Sequence, residues 1–136
     1  MEKTTEKKPA LAPGIVQEFI GSAHGDLDHV KKLLAQEPAL INACWDWGGG
    51  DFETGLGAAA HMGRTDIANC LLENGARLDL FAAAMLGKLD IVKVVLNTYP
   101  EAIKTPGPHG ISLIAHAQAG GEEAKPVFEY LESLSK

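Results

Sequence analysis

The chain is poor in cysteine, in basic charge and in long apolar runs, and each shortage excludes something. Two cysteines, Cys44 and Cys70, are too few for a disulfide-stapled scaffold, so free thiols are expected. Twelve Lys and Arg against eighteen Asp and Glu leave a net charge of −6, which argues against nucleic acid as partner. The densest lysine cluster lies in MEKTTEKKPALAPG, where Glu2 and Glu6 dilute it. No apolar stretch approaches the ~20 residues of a membrane span, so no membrane partner is expected. Nor does a charged-then-apolar leader open the chain. The expected compartment is the cytoplasm, or the periplasm if an export signal has been removed from the N-terminus.

Catalytic signatures are missing as well. There is no G-x-S-x-G elbow and no phosphate loop, and GGGD at 48–51 lacks the Lys and helix of a phosphate cradle. Five histidines and the acids Asp46, Asp51 and Glu53 invite a metal site, but no H-x-x-x-H, C-x-x-C or H-E-x-x-H spacing occurs. Cys70 falls on an apolar helical face, where a thiol is inert, and Cys44 has no His base beside it in sequence. No enzymatic activity, cofactor or bound metal is expected.

What remains is one domain's length, 136 residues with 46% apolar content. Residues 1–13 are polar, charged and Pro-containing and read as a disordered tail or tether. Residues 14–136 then form the domain, and they repeat. GDLDHVKKLLAQEPALINA (25–43) and GKLDIVKVVLNTYPEAIKT (87–105) agree at eight of nineteen positions, and GRTDIANCLLENGARLD (63–79) is a third copy. Apolar pairs recur four and five residues apart in each, one face of a helix. Second helices are expected near 27–36, 65–74, 89–98 and 124–134. Their faces predict a core of Val30, Leu33, Leu34, Ile67, Leu71, Leu72, Ile91, Val92, Leu96, Phe128 and Leu131. Upstream of each marker glycine stands a small-residue first helix, as in GLGAAAHMG and LFAAAMLG, which the glycine ends.

Short helix, glycine turn and second helix at a period of about 33 residues is the ankyrin pattern. The chain resembles ankyrin-repeat proteins over residues 14–135. The family's T-P-L-H-x-A-A-x-x-G run is present as TGLGAAAHMG (54–63), with Thr54, Leu56, Ala59, Ala60 and Gly63 kept and Gly55 and Gly57 in place of Pro and His. LLENGA at 71–76 is present outright. The resemblance implies an all-α fold: a solenoid of about four helix-turn-helix repeats with β-hairpin-like fingers at the junctions.

The marker glycines Gly25, Gly63, Gly87 and Gly120 lie 38, 24 and 33 residues apart. The surplus in the first interval falls in ACWDWGGGDFETG (43–55), which holds both tryptophans, so this finger is oversized. The shortfall in the second leaves LDLFAAA (78–84) no room for a hairpin, so its finger is missing. KTPGPHGIS (104–112) predicts an ordinary finger.

In the resemblance the partner lies against fingers and inner helices. That implies His24, His61, Met62, Met85 and Leu86 as contact positions, with Trp45, Asp46, Trp47, Asp51, Phe52, Glu53 and Phe81 at the finger and beside it. Aromatics on a protruding loop favour binding hot spots. Equally, the long finger can serve as a cover over the helices that the missing finger leaves bare. His116 reads as a semi-buried structural residue and His109 as a solvated one. The expected function is a monomeric, non-enzymatic module holding an unidentified protein or peptide. The alternative is a small-ligand or metal-binding accessory protein with a pocket under the Trp finger, lined by His24 and His61.

Overall fold

A computed structural model describes residues 7–135; residues 1–6, nearly half of the expected tail, lie outside the described residues. The fold is mainly helical, with eight α-helices and one two-stranded sheet among the described residues. In chain order these are α1 (Pro13–Ser22), α2 (Leu27–Gln36), β1 (Cys44–Asp46), β2 (Phe52–Thr54), α3 (Gly55–His61) and α4 (Thr65–Glu73). Then follow α5 (Leu80–Met85), α6 (Leu89–Thr98), α7 (Leu113–Ala119) and α8 (Lys125–Leu134). The four expected second helices coincide with α2, α4, α6 and α8. At the N-terminal end Pro13 opens α1, and Leu11 before it packs, partly buried, against the first apolar cluster.

Each first helix after α1 begins on a side-chain cap. Thr54 accepts the amide of Gly57 at 2.9 Å, Asp79 that of Ala82 at 2.8 Å, and Ser112 that of Ala115 at 3.2 Å. Such a cap satisfies an amide that the helix itself cannot. The turns after α3 and α5 repeat one hydrogen-bond pattern, Arg64 N–H to Ala59 C=O and Lys88 N–H to Ala83 C=O, both at 2.9 Å. That is the six-to-one closure of a helix ended by glycine.

Helices pack within pairs (α1 on α2, α3 on α4, α5 on α6, α7 on α8), and the first helices of successive pairs pack on one another. The alanines make this close approach possible: Ala58, Ala59, Ala60, Ala82, Ala83 and Ala84 are all fully buried. One apolar cluster spans the first two pairs and a second spans the last two, divided within α5. Val30, Leu33, Ile67, Leu71, Val92, Leu96 and Leu131 are core as expected, while Leu34, Leu72 and Phe128 are half-buried. Ile91 is a correction: it is 39% exposed, because α6 turns its Val92–Leu96 edge inward and leaves Ile91 toward solvent.

The oversized finger is the β1–β2 hairpin, antiparallel with Trp45 opposite Glu53. Its tip, Gly48–Gly50, runs through positive φ at all three residues, and the Asp46 carboxylate accepts the amides of Gly48 and Gly50. Among the described residues no strand occurs between α4 and α5. The expected ordinary finger at 104–112 is not a hairpin of strands. Pro106 and Pro108 have no amide hydrogen to give to a ladder, and the segment closes through a Gly107 N–H to Ile111 C=O bond of 2.8 Å.

Candidate functional site

Alternation along the hairpin gives it two chemically different faces. Trp45 and Glu53 face the helices. Trp45 is half-buried and packs against the first core cluster, alongside α1. Cys44, Phe52 and Thr54 face the other way, into a cleft of about 400 Å³ between the finger and the 106–108 segment. Asp51, Asp79 and Phe81 also line it. Asp79 and Phe81 come from the strand-free connection between α4 and α5 and the start of α5.

The inward face carries the denser chemistry. Glu53 is 1% exposed, and three histidines from three other segments close round its carboxylate. His24, just after α1, puts Nε2 at 3.2 Å from Oε1. His61, at the end of α3, puts Nε2 at 2.9 Å from Oε2, and His109, from the 104–112 segment, puts Nε2 at 3.3 Å from the same oxygen. The indole N–H of Trp47 donates to Oε1 at 2.8 Å. The rings stand edge to face, His24 to His61 at 5.1 Å and His61 to His109 at 5.2 Å between centroids.

The outer nitrogens are also held. His24 Nδ1 faces the carbonyl oxygens of Ile20 and Gly21 at 3.0 and 3.2 Å. The Asp51 carboxylate takes both the backbone amide of His109 at 2.7 Å and its Nδ1 at 2.6 Å. These bonds tie the first finger to a segment 58 residues away.

The charges follow from the packing. Burial pushes the Glu53 carboxyl up, but hydrogen bonds from His24 and Trp47 outweigh it and leave it below the ordinary range. The hydrogen bond to Glu53 raises His24 above its ordinary value against some burial. Burial lowers His61 despite the nearby carboxylate. The His109 amide and ring hold Asp51 below the usual carboxylate range.

Of the residues expected at the site, His24, Trp47, Asp51, Glu53 and His61 converge on one point. Phe52 and Phe81 line the cleft, Asp46 shapes the finger tip, and Met62 is 51% exposed beside His61. Met85 and Leu86 are corrections: at 0% and 8% exposure they offer no surface, because α5 is clasped between α3 and α7. Glu53 is also corrected, from a contact position on the finger to the centre of a buried cluster. His109, read as solvated, joins that cluster. Only its place in a Pro-Gly-rich segment near a missing finger pointed there. His116 is fully buried, with Nδ1 on the Ser112 carbonyl at 2.8 Å and its ring against Phe81.

No protein-family model matches the chain, and no curated protein is significantly similar to it. No helix among the described residues is long and apolar enough to cross a membrane.

Proposed function

We propose that the chain is a short ankyrin-type array acting as a non-enzymatic binding module, and that it takes its partner in the cleft between the finger and the 106–108 segment. The observation that carries this reading is the cleft itself. It has aromatic walls in Phe52 and Phe81 and acids in Asp51 and Asp79. Phe52 is 59% exposed there, a large apolar side chain left in water by the free chain. Grooves of this make-up suit a protein or peptide segment with an apolar anchor and a neighbouring positive charge. A net charge of −6 assists the approach of such a segment. The array supplies rigidity, and the absent second finger supplies the space.

Photo-crosslinking tests it. A benzophenone side chain placed at position 52 in the native cell is expected to give one dominant adduct. That adduct should be lost when Asp79 is replaced by Asn, which keeps a helix-capping oxygen and removes the charge. An adduct pattern no different from that of a probe at exposed Val94, on α6, would sink the reading.

A further inference from the structure

On the opposite face of the hairpin, we infer that His24, His61 and His109, each through Nε2, together with the Glu53 carboxylate, form a binding site for one divalent first-row transition ion, of the zinc, copper or nickel kind. Four observations carry this, and none depends on the cleft.

The first is convergence. One donor atom from each of the four residues lies within 4.8 Å of every other. Zn–N and Zn–O bonds of about 2.0–2.2 Å set donors roughly 3.3–3.5 Å apart round a tetrahedron. The observed Nε2-to-carboxylate distances of 2.9, 3.2 and 3.3 Å are on that scale. Donor separations of up to 4.8 Å must contract toward that scale, by about 1 Å, for the cluster to close round one ion.

The second is the direction of the lone pairs. Carbonyl oxygens only accept, so His24 Nδ1, against Ile20 and Gly21, carries a proton, and Nε2, which faces Glu53, is the nitrogen that gives up its own proton to an incoming ion and ligates it. His109 Nδ1 donates to Asp51 in the same way. A histidine that gives its outer N–H to a carbonyl or carboxylate while the other nitrogen points at a shared centre is the usual outer shell of a metal ligand. Trp47 does the corresponding work for Glu53 by donating to Oε1.

The third is an unfilled need. Glu53 Oε2 and His61 Nε2 are buried and have no hydrogen-bond partner, although they stand only 2.9 Å apart. Their approach has the distance of a hydrogen bond without its angles. The Trp47 hydrogen bond and an ion pair with His24 account for Oε1 and leave Oε2 and His61 unexplained. Orphaned buried polar atoms are rare and call for a missing partner. A cation between them is such a partner.

The fourth is the donor set. Three imidazoles and one carboxylate suit borderline transition ions, whereas Mg²⁺ and Ca²⁺ take oxygen. The side chains of His24 and His109 are 26% and 31% exposed, so an ion can enter from solvent, and Glu53 at 0% forms the floor.

Untagged full-length protein, stripped with chelator, is titrated with Zn²⁺ by calorimetry and with Co²⁺ by absorption. One equivalent of Zn²⁺ is expected to bind and to raise the melting temperature, with Mg²⁺ without effect at the same concentration. Co²⁺ should give the visible bands of a nitrogen- and oxygen-ligated site. His61→Ala and His109→Ala should each weaken Zn²⁺ at least 100-fold, and Asp51→Asn should weaken it about 10- to 100-fold. His109 lies in an exposed segment, so its variant keeps the test open if a change at Glu53 or His61 prevents folding. His29→Ala, outside the cluster, should bind as the parent does. Absence of Zn²⁺ binding at micromolar concentration, or binding unchanged in His109→Ala and His61→Ala, overturns the assignment.

Discussion

Replacing Trp47 by Phe removes one hydrogen bond and little else, which makes it a clean probe of how the finger is anchored. The indole N–H meets Glu53 Oε1 at 2.8 Å, and the side chain of Glu53 has no exposure with which to find water instead. A hydrogen bond to a charged group contributes about 1.5–3 kcal/mol. Two features pull the loss toward the lower end. His24 still reaches the same oxygen, at 3.2 Å, and Trp47 is 37% exposed, so water can follow the departing ring edge. The smaller ring also gives up apolar contact, which at ~25 cal/mol per Å² adds less than about 1 kcal/mol for a group already partly in water. The expected sum is about 2 kcal/mol. Urea unfolding in the presence of chelator measures it, with far-ultraviolet circular dichroism for the helices and the fluorescence of Trp45, the remaining tryptophan, for the finger. Phe52→Ala, on the exposed face of the same hairpin, should stay within about 0.5 kcal/mol of the parent. A loss below about 0.5 kcal/mol for Trp47→Phe would refute the argument, since the buried carboxylate would then not depend on the indole.

Three further outcomes are expected. Leu71→Ala should cost about 2–5 kcal/mol in chemical denaturation, because Leu71 is fully buried in the central pair and its loss leaves a cavity; a neutral result would displace α4 from the core. Gly75→Ala and Gly87→Ala both place a methyl group at positive φ, at +96° and +76°, which costs about 1–2 kcal/mol each. At Gly75 nothing stands within 4 Å, whereas at Gly87 the methyl runs into the Glu123 carbonyl, so the second variant should lose about 1–3 kcal/mol more; equal melting temperatures would contradict that close approach. Burial holds the pKa of His116 below its ordinary value. The unfolded chain therefore takes up that proton first, and stability should fall as pH drops through ~6.5 toward the depressed native value, then level off. His116→Leu should show a shallower fall in melting temperature between about pH 8 and 5, and a slope equal to the parent's would count against the burial.

The helical pairs were legible because their signals are local. Spacing of apolar residues places α2, α4, α6 and α8, and the small-residue runs before the marker glycines place the first helices. The unequal glycine intervals, 38 and 24 residues, likewise located the long finger and the bare junction beside it. Which side of α6 faces inward was less legible. Ile91 and Val92 are equally apolar neighbours, and only packing against the adjacent helices chooses Val92. Met85 and Leu86 read as surface by their place in the repeat, yet α5 is so short and so closely flanked that both are covered.

The site was legible only in part, and the reason is distance along the chain. His24, Glu53, His61 and His109 span 86 residues (109 − 24 + 1) and share no spacing rule, so a search for ligand pairs on one helix passes over them. By itself the sequence determined the second helices, most of their apolar faces, and the length of the hairpin segment. Only the tertiary structure decided that the inward face of the hairpin buries Glu53, and that His109 arrives from 58 residues along the chain to meet it. Those are consequences of how helices stack and of the space left between their connections, and no residue carries that information alone.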